Sequence, residues 1–189
     1  MMRQAGARFT NRSLSEGAAV LDSSPRHLPH PFVPIRAVVA ADLVGLKLVI
    51  DATGLFPSVM LDDMLASYFS GSDDELWFTV DDEGPEAAPV AVAYVAPERM
   101  TMGTWNMYLI AVHPAHQSRG LGAALVGHIE DTLADRGQRL LLVETSGLPE
   151  FERTRAFYRT NGYVEEARVR EFYGPGEDKI VFRKVLVRA

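Results

Sequence analysis

Between residues 104 and 136 the chain passes from the apolar run "TWNMYLIAVHP" through the polar hexapeptide "QSRGLG" into a long amphipathic stretch. Few folds accept that succession. Leu121, Leu125, Ile129 and Leu133 fall at i, i+4, i+8 and i+12, with Glu130, Asp131 and Asp135 on other faces, so the spacing predicts a helix over 119–136. Gly137 stands where a left-handed C-cap is expected. A strand that feeds a helix through such a loop exposes the helix's first N–H groups, which lack intrahelical partners and carry the positive end of the aligned peptide dipoles. Gly120 and Gly122 let another group approach that backbone, and Arg119 adds a planar cationic fork. The hexapeptide reads as an anion site, most naturally for a phosphate or pyrophosphate. A tight helix N-cap with Ser118 as the capping residue is the alternative.

The rest of the chain supplies the scaffold. "PIRAV" predicts a short strand, and Ala41 to Ala52 a helix begun near Asp42 and ended at Gly54. "PSVMLDDMLASYFS" repeats Val59, Leu61, Met64, Leu65, Tyr68 and Phe69 at helical spacing. "LWFTVDD", "APVAVAYVAPE" and "TWNMYLIAVHP" follow one another through short turns, which predicts an antiparallel meander. After the 119–136 helix, "RLLLVETS" reads as a strand buried on both faces, residues 152–161 as a short helix, and "YVEEARVREFY" and "KIVFRKVLV" as two strands around the turn "GPGED". The succession β-α-α-β-β-β-α-β-α-β-β predicts an α/β (α+β) fold. Its sheet is mixed and mostly antiparallel, of about six to seven strands flanked by about four helices.

Composition narrows the function classes. With 189 residues and 47% apolar composition the chain suits one domain, expected over residues 34–189, behind a flexible extension of residues 1–33 that ends in a proline-rich run. His27 and His30 in that extension lack the company of a metal site, and no metal is expected. The absence of cysteine excludes a disulfide framework, a thiol nucleophile and thiolate zinc sites. The formal charge is −6, with +2 on residues 1–33 and −8 on the remainder, which argues against broad binding to a nucleic-acid backbone. No apolar run approaches the roughly 18 residues of a membrane span, and the N-terminus does not resemble a secretory signal. A cytoplasmic location is expected.

The loop's ligand is narrowed by what it lacks. A Walker-type loop ends in Gly-Lys-Ser/Thr, and this loop has no lysine. The dinucleotide pattern places a third glycine where Leu125 stands. Val112-x-Pro114-x-x-Gln117-x-x-Gly120-x-Gly122-Ala123 instead resembles the acyl-CoA signature of the GNAT N-acetyltransferase superfamily. "AFYRTNGYVE", residues 156–165, resembles that family's second block, and the resemblance spans roughly residues 34–189.

The resemblance implies a GNAT-like acyl-CoA N-acyltransferase fold and an acetyl-CoA-dependent N-acetyltransferase acting on a primary amine by direct attack in a ternary complex. It places pantetheine against the main chain of Ile110, Ala111 and Val112, and the diphosphate on Gln117, Ser118, Arg119, Gly120, Leu121, Gly122 and Ala123. It gives Tyr158 the role of protonating the departing thiolate. An amine with a pKa of ~10 must first lose a proton. Asn106 stands where some relatives carry a glutamate base, so Glu144, ending an apolar strand, is the substitute candidate. A salt bridge or a solvated strand end also accounts for Glu144, and a water chain is a third route for the proton. A backbone N–H near Ile110 to Val112 would meet the developing oxyanion if a bulge splays the fourth and fifth strands. Phe151 occupies a position where relatives often have asparagine, and Arg153 and Arg155 either reach a phosphate or are surface charges. Tyr173, Glu177 and Asp178 border the acceptor cleft or a simple turn, and Tyr68 and Phe69 line its other side or fill core. Ser146 lacks the His-Asp partners of a nucleophile. The expected partner is an amine-bearing acceptor, small molecule or peptide, with no nucleic acid and no membrane. Exposed strand edges leave a homodimer possible. The alternative to an enzyme is a non-catalytic module that senses acyl-CoA.

Overall fold

One seven-stranded sheet carries the whole architecture in the computed structural model, which describes residues 34–71, 74–83 and 87–186. The expected extension over residues 1–33, with His27 and His30, lies outside the described residues. The strands are β1 (Ile35–Ala37), β2 (Leu76–Asp81), β3 (Pro89–Pro97), β4 (Thr104–Val112), β5 (Leu140–Ser146), β6 (Val164–Gly174) and β7 (Glu177–Val185). Their order across the sheet is β1-β2-β3-β4-β5-β7-β6. Only β4 and β5 run parallel. That pair needs a crossover, supplied by the helix α3 (Leu121–Asp135), whereas short connections join β2 to β3, β3 to β4 and β6 to β7. The helices α1 (Leu43–Thr53), α2 (Met60–Phe69) and α4 (Glu152–Thr160) complete the expected mixed sheet with four helices. Among the described residues no helix is long and apolar enough to cross a membrane.

Each sheet face buries its own core. On one, Leu125, Ile129 and Leu133 of α3 and Tyr158 of α4 pack against Ala91, Ala93, Val95, Val143 and Phe182. On the other, Leu46, Val49 and Ile50 of α1 and Leu61 and Leu65 of α2 cover Trp77, Val92 and Leu109. Strand alternation assigns each residue to a face, and β4 breaks it. Trp105 and Met107 belong to the α3 side, yet Leu109 and Ala111 belong to the α1 side. The register explains the switch: Tyr94 pairs with Leu109 and Val95 with Met107, so Tyr108 is an extra residue, a β-bulge. One inserted residue exchanges the faces of all that follow. Ile110 and Val112 therefore join Met107 on the α3 side.

Helix boundaries follow local chemistry. The α3 helix opens at Leu121, two residues later than its hydrophobic spacing predicts, because Ser118 (φ 61°) and Gly120 (φ 84°) are both left-handed. Gly137 (φ 72°) ends it as a left-handed residue, with Gln138 N–H returning to the Leu133 carbonyl at 2.9 Å. Near the start of α1, Asp42 is 6% exposed and is more than a capping residue. Arg36 donates to it through Nη1 at 2.7 Å and Nη2 at 2.8 Å, and to Asp81 through Nε and Nη2 at 2.7 Å each. The Arg36 hydrogen bonds hold the Asp42 carboxyl below its ordinary 3.8. A lowered folded-state pKa contributes stability that is complete above 3.8 and is lost as the pH falls through the lower value. Arg36→Met is expected to cost about 2 kcal/mol at neutral pH. The difference from wild type should shrink as urea unfolding is repeated down to about pH 2.

Candidate functional site

The loop that leads from β4 into α3 is folded back on the strand. Gln117 Nε2 donates to the Val112 carbonyl at 3.0 Å, and the two left-handed residues, Ser118 and Gly120, turn the chain sharply into the helix. The residue before α3 is Gly120, and no side chain caps the helix. The first bond back to Gly120 comes from Ala124 N–H at 2.9 Å, which leaves the amides of Leu121, Gly122 and Ala123 without helical partners. Ser118 is not the cap that the sequence allows; its hydroxyl accepts from Arg153 Nη2 of α4 at 3.1 Å. Gly122 lies against α4, where a Cβ would stand 3.5 Å from the Phe157 ring, an ordinary contact. An uncapped helix terminus walled by glycines suits a diphosphate.

These amides face a groove of ≈ 1150 Å³ between α3, α4 and the end of β4. Ile110, Val112, Gln117, Ser118, Gly120, Leu121, Gly122 and Ala123 all line it, as does Tyr158. Two of the residues expected to hold the cofactor do not. Ala111 packs on the α1 side because alternation turns it there, and Arg119 is exposed outside the groove. Arg153 lines the groove; Arg155 is buried and donates to the carbonyls of Ser146 at 2.6 Å and Leu148 at 2.9 Å, a structural tie between α4 and the end of β5. Tyr158 packs against Phe157, Tyr163 and Phe182, and burial pushes its phenol up, so the hydroxyl is protonated at neutral pH.

The ladder between β4 and β5 joins only 104–107 to 140–143. Beyond Met107 and Val143 the strands part, and the first residues on the two lips of the gap are Tyr108 and Glu144. The groove lies on the α3 side of this gap; Tyr108 and Glu144 lie on the other. Glu144 accepts from Lys179 Nζ at 3.1 Å, and that ammonium stands 3.7 Å from the centre of the Phe172 ring. Tyr173 is near enough for the Glu144 charge to add to burial in raising its phenol. Asp178 is held by Arg168 at 3.1 Å, and Tyr68 fills core, its hydroxyl donating to the Val38 carbonyl at 3.2 Å. Phe69 is exposed.

Two residues on this face, Glu98 and Tyr108, escaped the sequence reading. Glu98, just past β3, accepts at Oε1 from Asn106 Nδ2 at 3.0 Å and from the Tyr108 hydroxyl at 3.1 Å. The hairpin register Ala96 to Asn106 brings Glu98 there. A signal existed in "APERM", a carboxylate just after an apolar strand facing "WNMY", but using it requires the bulge to be known.

Comparison with known proteins settles the family. A sequence profile of the acetyltransferase (GNAT) domain matches residues 73–165, a span that holds both the glycine loop and the Phe157-Tyr158 block. The chain is a GNAT-family protein. A crystal structure from Desulfovibrio desulfuricans, described as a GNAT-family acetyltransferase, is 29% identical and superposes with a TM-score of 0.75 over 82% of this chain and 99% of that one. The fold is also shared with the ribosomal-protein-S18-alanine N-acetyltransferase of Escherichia coli, at 22% identity, TM-score 0.66, and coverage of 82% and 95%. An aminoglycoside 6'-N-acetyltransferase complexed with coenzyme A gives 14% identity, TM-score 0.65, and coverage of 82% and 98%. No curated protein matches by sequence at a significant level.

Proposed function

We propose that this GNAT protein transfers the acetyl group of acetyl-CoA to an amine by direct attack in a ternary complex. One observation carries the reading: an uncapped helix N-terminus and the stretch of β4 beyond its pairing with β5 line a single groove. When bound, acetyl-CoA supplies an activated thioester. The amides of Leu121, Gly122 and Ala123 hold its diphosphate, with Arg153 free to leave Ser118 for a phosphate oxygen. The main chain of residues 110–112 borders the pantetheine arm. Tyr158, protonated and buried, donates to the leaving sulfur. The acceptor approaches from the opposite face, between Tyr108 and Glu144. Its ammonium must pass a proton to a carboxylate on that face, and two stand there: Glu144, the one expected from sequence, and Glu98.

Structural neighbours bear names of enzymes that act on aminoglycosides, on spermidine and on the alanine of a ribosomal protein. Those three classes make the acceptor panel: kanamycin, spermidine and an alanine-initiated peptide. Calorimetric titration should show acetyl-CoA binding, and a free-thiol assay should show CoA release that depends on at least one of these amines. Binding with no acceptor-dependent release would favour the competing reading, a non-catalytic acyl-CoA sensor.

A further inference from the structure

The geometry points to Glu98, acting along the Tyr108 hydroxyl, as the group that takes the proton from the acceptor amine. This assignment rests on the transfer reaction proposed above and decides between its two carboxylates. The argument is one of charge and placement. Glu144 faces a cation: Lys179 is bonded to it at 3.1 Å and is itself half enclosed by the Phe172 ring. Its negative charge is already answered. The side-chain partners of Glu98 among the described residues are neutral donors, the Asn106 amide and the Tyr108 phenol, and both bind the same oxygen, Oε1. No hydrogen bond reaches Oε2 among the described residues, so the carboxylate keeps a free oxygen and no cation beside it.

The surroundings fix that arrangement. Asn106 is 2% exposed, and its Oδ1 is buried without a partner, so the amide is oriented by its bond to Glu98 and by packing. Tyr108 is held by a row of rings that crosses the α1 face: Trp77 stacks on Tyr94 at 4.3 Å, and Tyr94 meets Tyr108 at 5.7 Å. Behind that row Glu75 is buried and bonded to Ser67 and to Trp77 Nε1, so it takes no part at the gap. The groups that face the Tyr108 hydroxyl are therefore Glu98 from the β3 end and, across the gap, Glu144 with its Lys179. The bulge supplies the rest, because it places Tyr108 at the lip where the strands part.

In the step itself an N–H bond of the ammonium breaks, and its electron pair stays on nitrogen. The Tyr108 oxygen receives that proton as its own proton passes to Glu98 Oε1. The products are a neutral amine, an intact phenol and a protonated Glu98, and atoms and charge balance. Glu98 then returns its proton to water through the exposed side of the site.

The test is a pH profile. Wild type, Glu98→Gln, Tyr108→Phe and Glu144→Gln are assayed for CoA release with the best acceptor among spermidine, kanamycin and the alanine-initiated peptide, and acetyl-CoA affinity is measured by calorimetry. Glu98→Gln is expected to keep acetyl-CoA affinity and to lose about 100-fold in kcat/KM at pH 7. The loss should shrink below about 10-fold as the pH approaches the acceptor's own pKa, ~10 for an alkyl amine or ~8 for an α-amine, because the amine then arrives neutral. Tyr108→Phe should show the same pH-dependent loss. A loss that is equal at every pH, an unaltered Glu98→Gln, or a pH-relieved defect confined to Glu144→Gln would each overturn the assignment. Wild-type protein that releases CoA with none of the three amines overturns the transfer reading and this assignment together.

Discussion

Gly120→Val should abolish saturable acetyl-CoA binding in a protein that still folds. Two effects act at this position. Gly120 sits at φ 84°, a conformation that a β-branched residue adopts only under strain. That strain costs roughly 1–2 kcal/mol, a tolerable fraction of a domain's ~5–15 kcal/mol. The second effect is decisive. Gly120 lines the groove directly before the partnerless amides of Leu121, Gly122 and Ala123, and two methyl groups there occupy the space a diphosphate needs. Gly54→Val separates the two effects, because Gly54 is also left-handed at φ 65°, has nothing within 4 Å of an added Cβ, and closes α1 far along the chain from the loop. Both variants should melt lower by a similar amount. Only Gly120→Val should fail in a calorimetric titration with acetyl-CoA, and retained affinity there would remove the cradle from the proposal.

Tyr158→Phe should lower kcat by about 100-fold with little change in acetyl-CoA affinity or in stability. The expectation follows from what the hydroxyl does not do. Its phenol is raised by burial alone, with no hydrogen bond contributing, whereas the ring makes aromatic contacts to Phe157, Tyr163 and Phe182. Phenylalanine keeps those contacts. Loss of the oxygen removes a proton donor from the groove wall and nothing that binds or packs. A thermal melt and a titration control for the fold and for the cofactor site; turnover equal to wild type would exclude Tyr158 from the reaction.

Most of the scaffold was legible in the sequence because its signals are local. Leu121, Leu125, Ile129 and Leu133 announce α3, Gly137 announces its end, and "QSRGLG" announces exposed amides, each within a few residues. The same is true of Gly54 and of the turn at Gly174. What escaped is set by pairing between distant segments. The bulge at Tyr108 turns the Ala111 side chain to the α1 core and those of Ile110 and Val112 to the groove, and nothing in "TWNMYLIAV" marks one residue as extra. Glu98 joins Asn106 only through the β3–β4 register. Glu144 meets Lys179 across 35 positions of sequence, a contact fixed by the pairing of β5 with β7. Arg155 shares charge and helix with Arg153, and only the fold shows that one is enclosed by carbonyls while the other stands at the groove.

That enclosure has a mechanical consequence. Arg155 lies one helical turn before Tyr158 and grips the carbonyl of Ser146, the last residue of β5. The tyrosine and the far lip of the gap are thereby riveted into one jaw, while β4 and the glycine loop form the other. A change at Arg155 would therefore be felt in two places at once, at the tyrosine in the groove and at the end of the strand that bears Glu144.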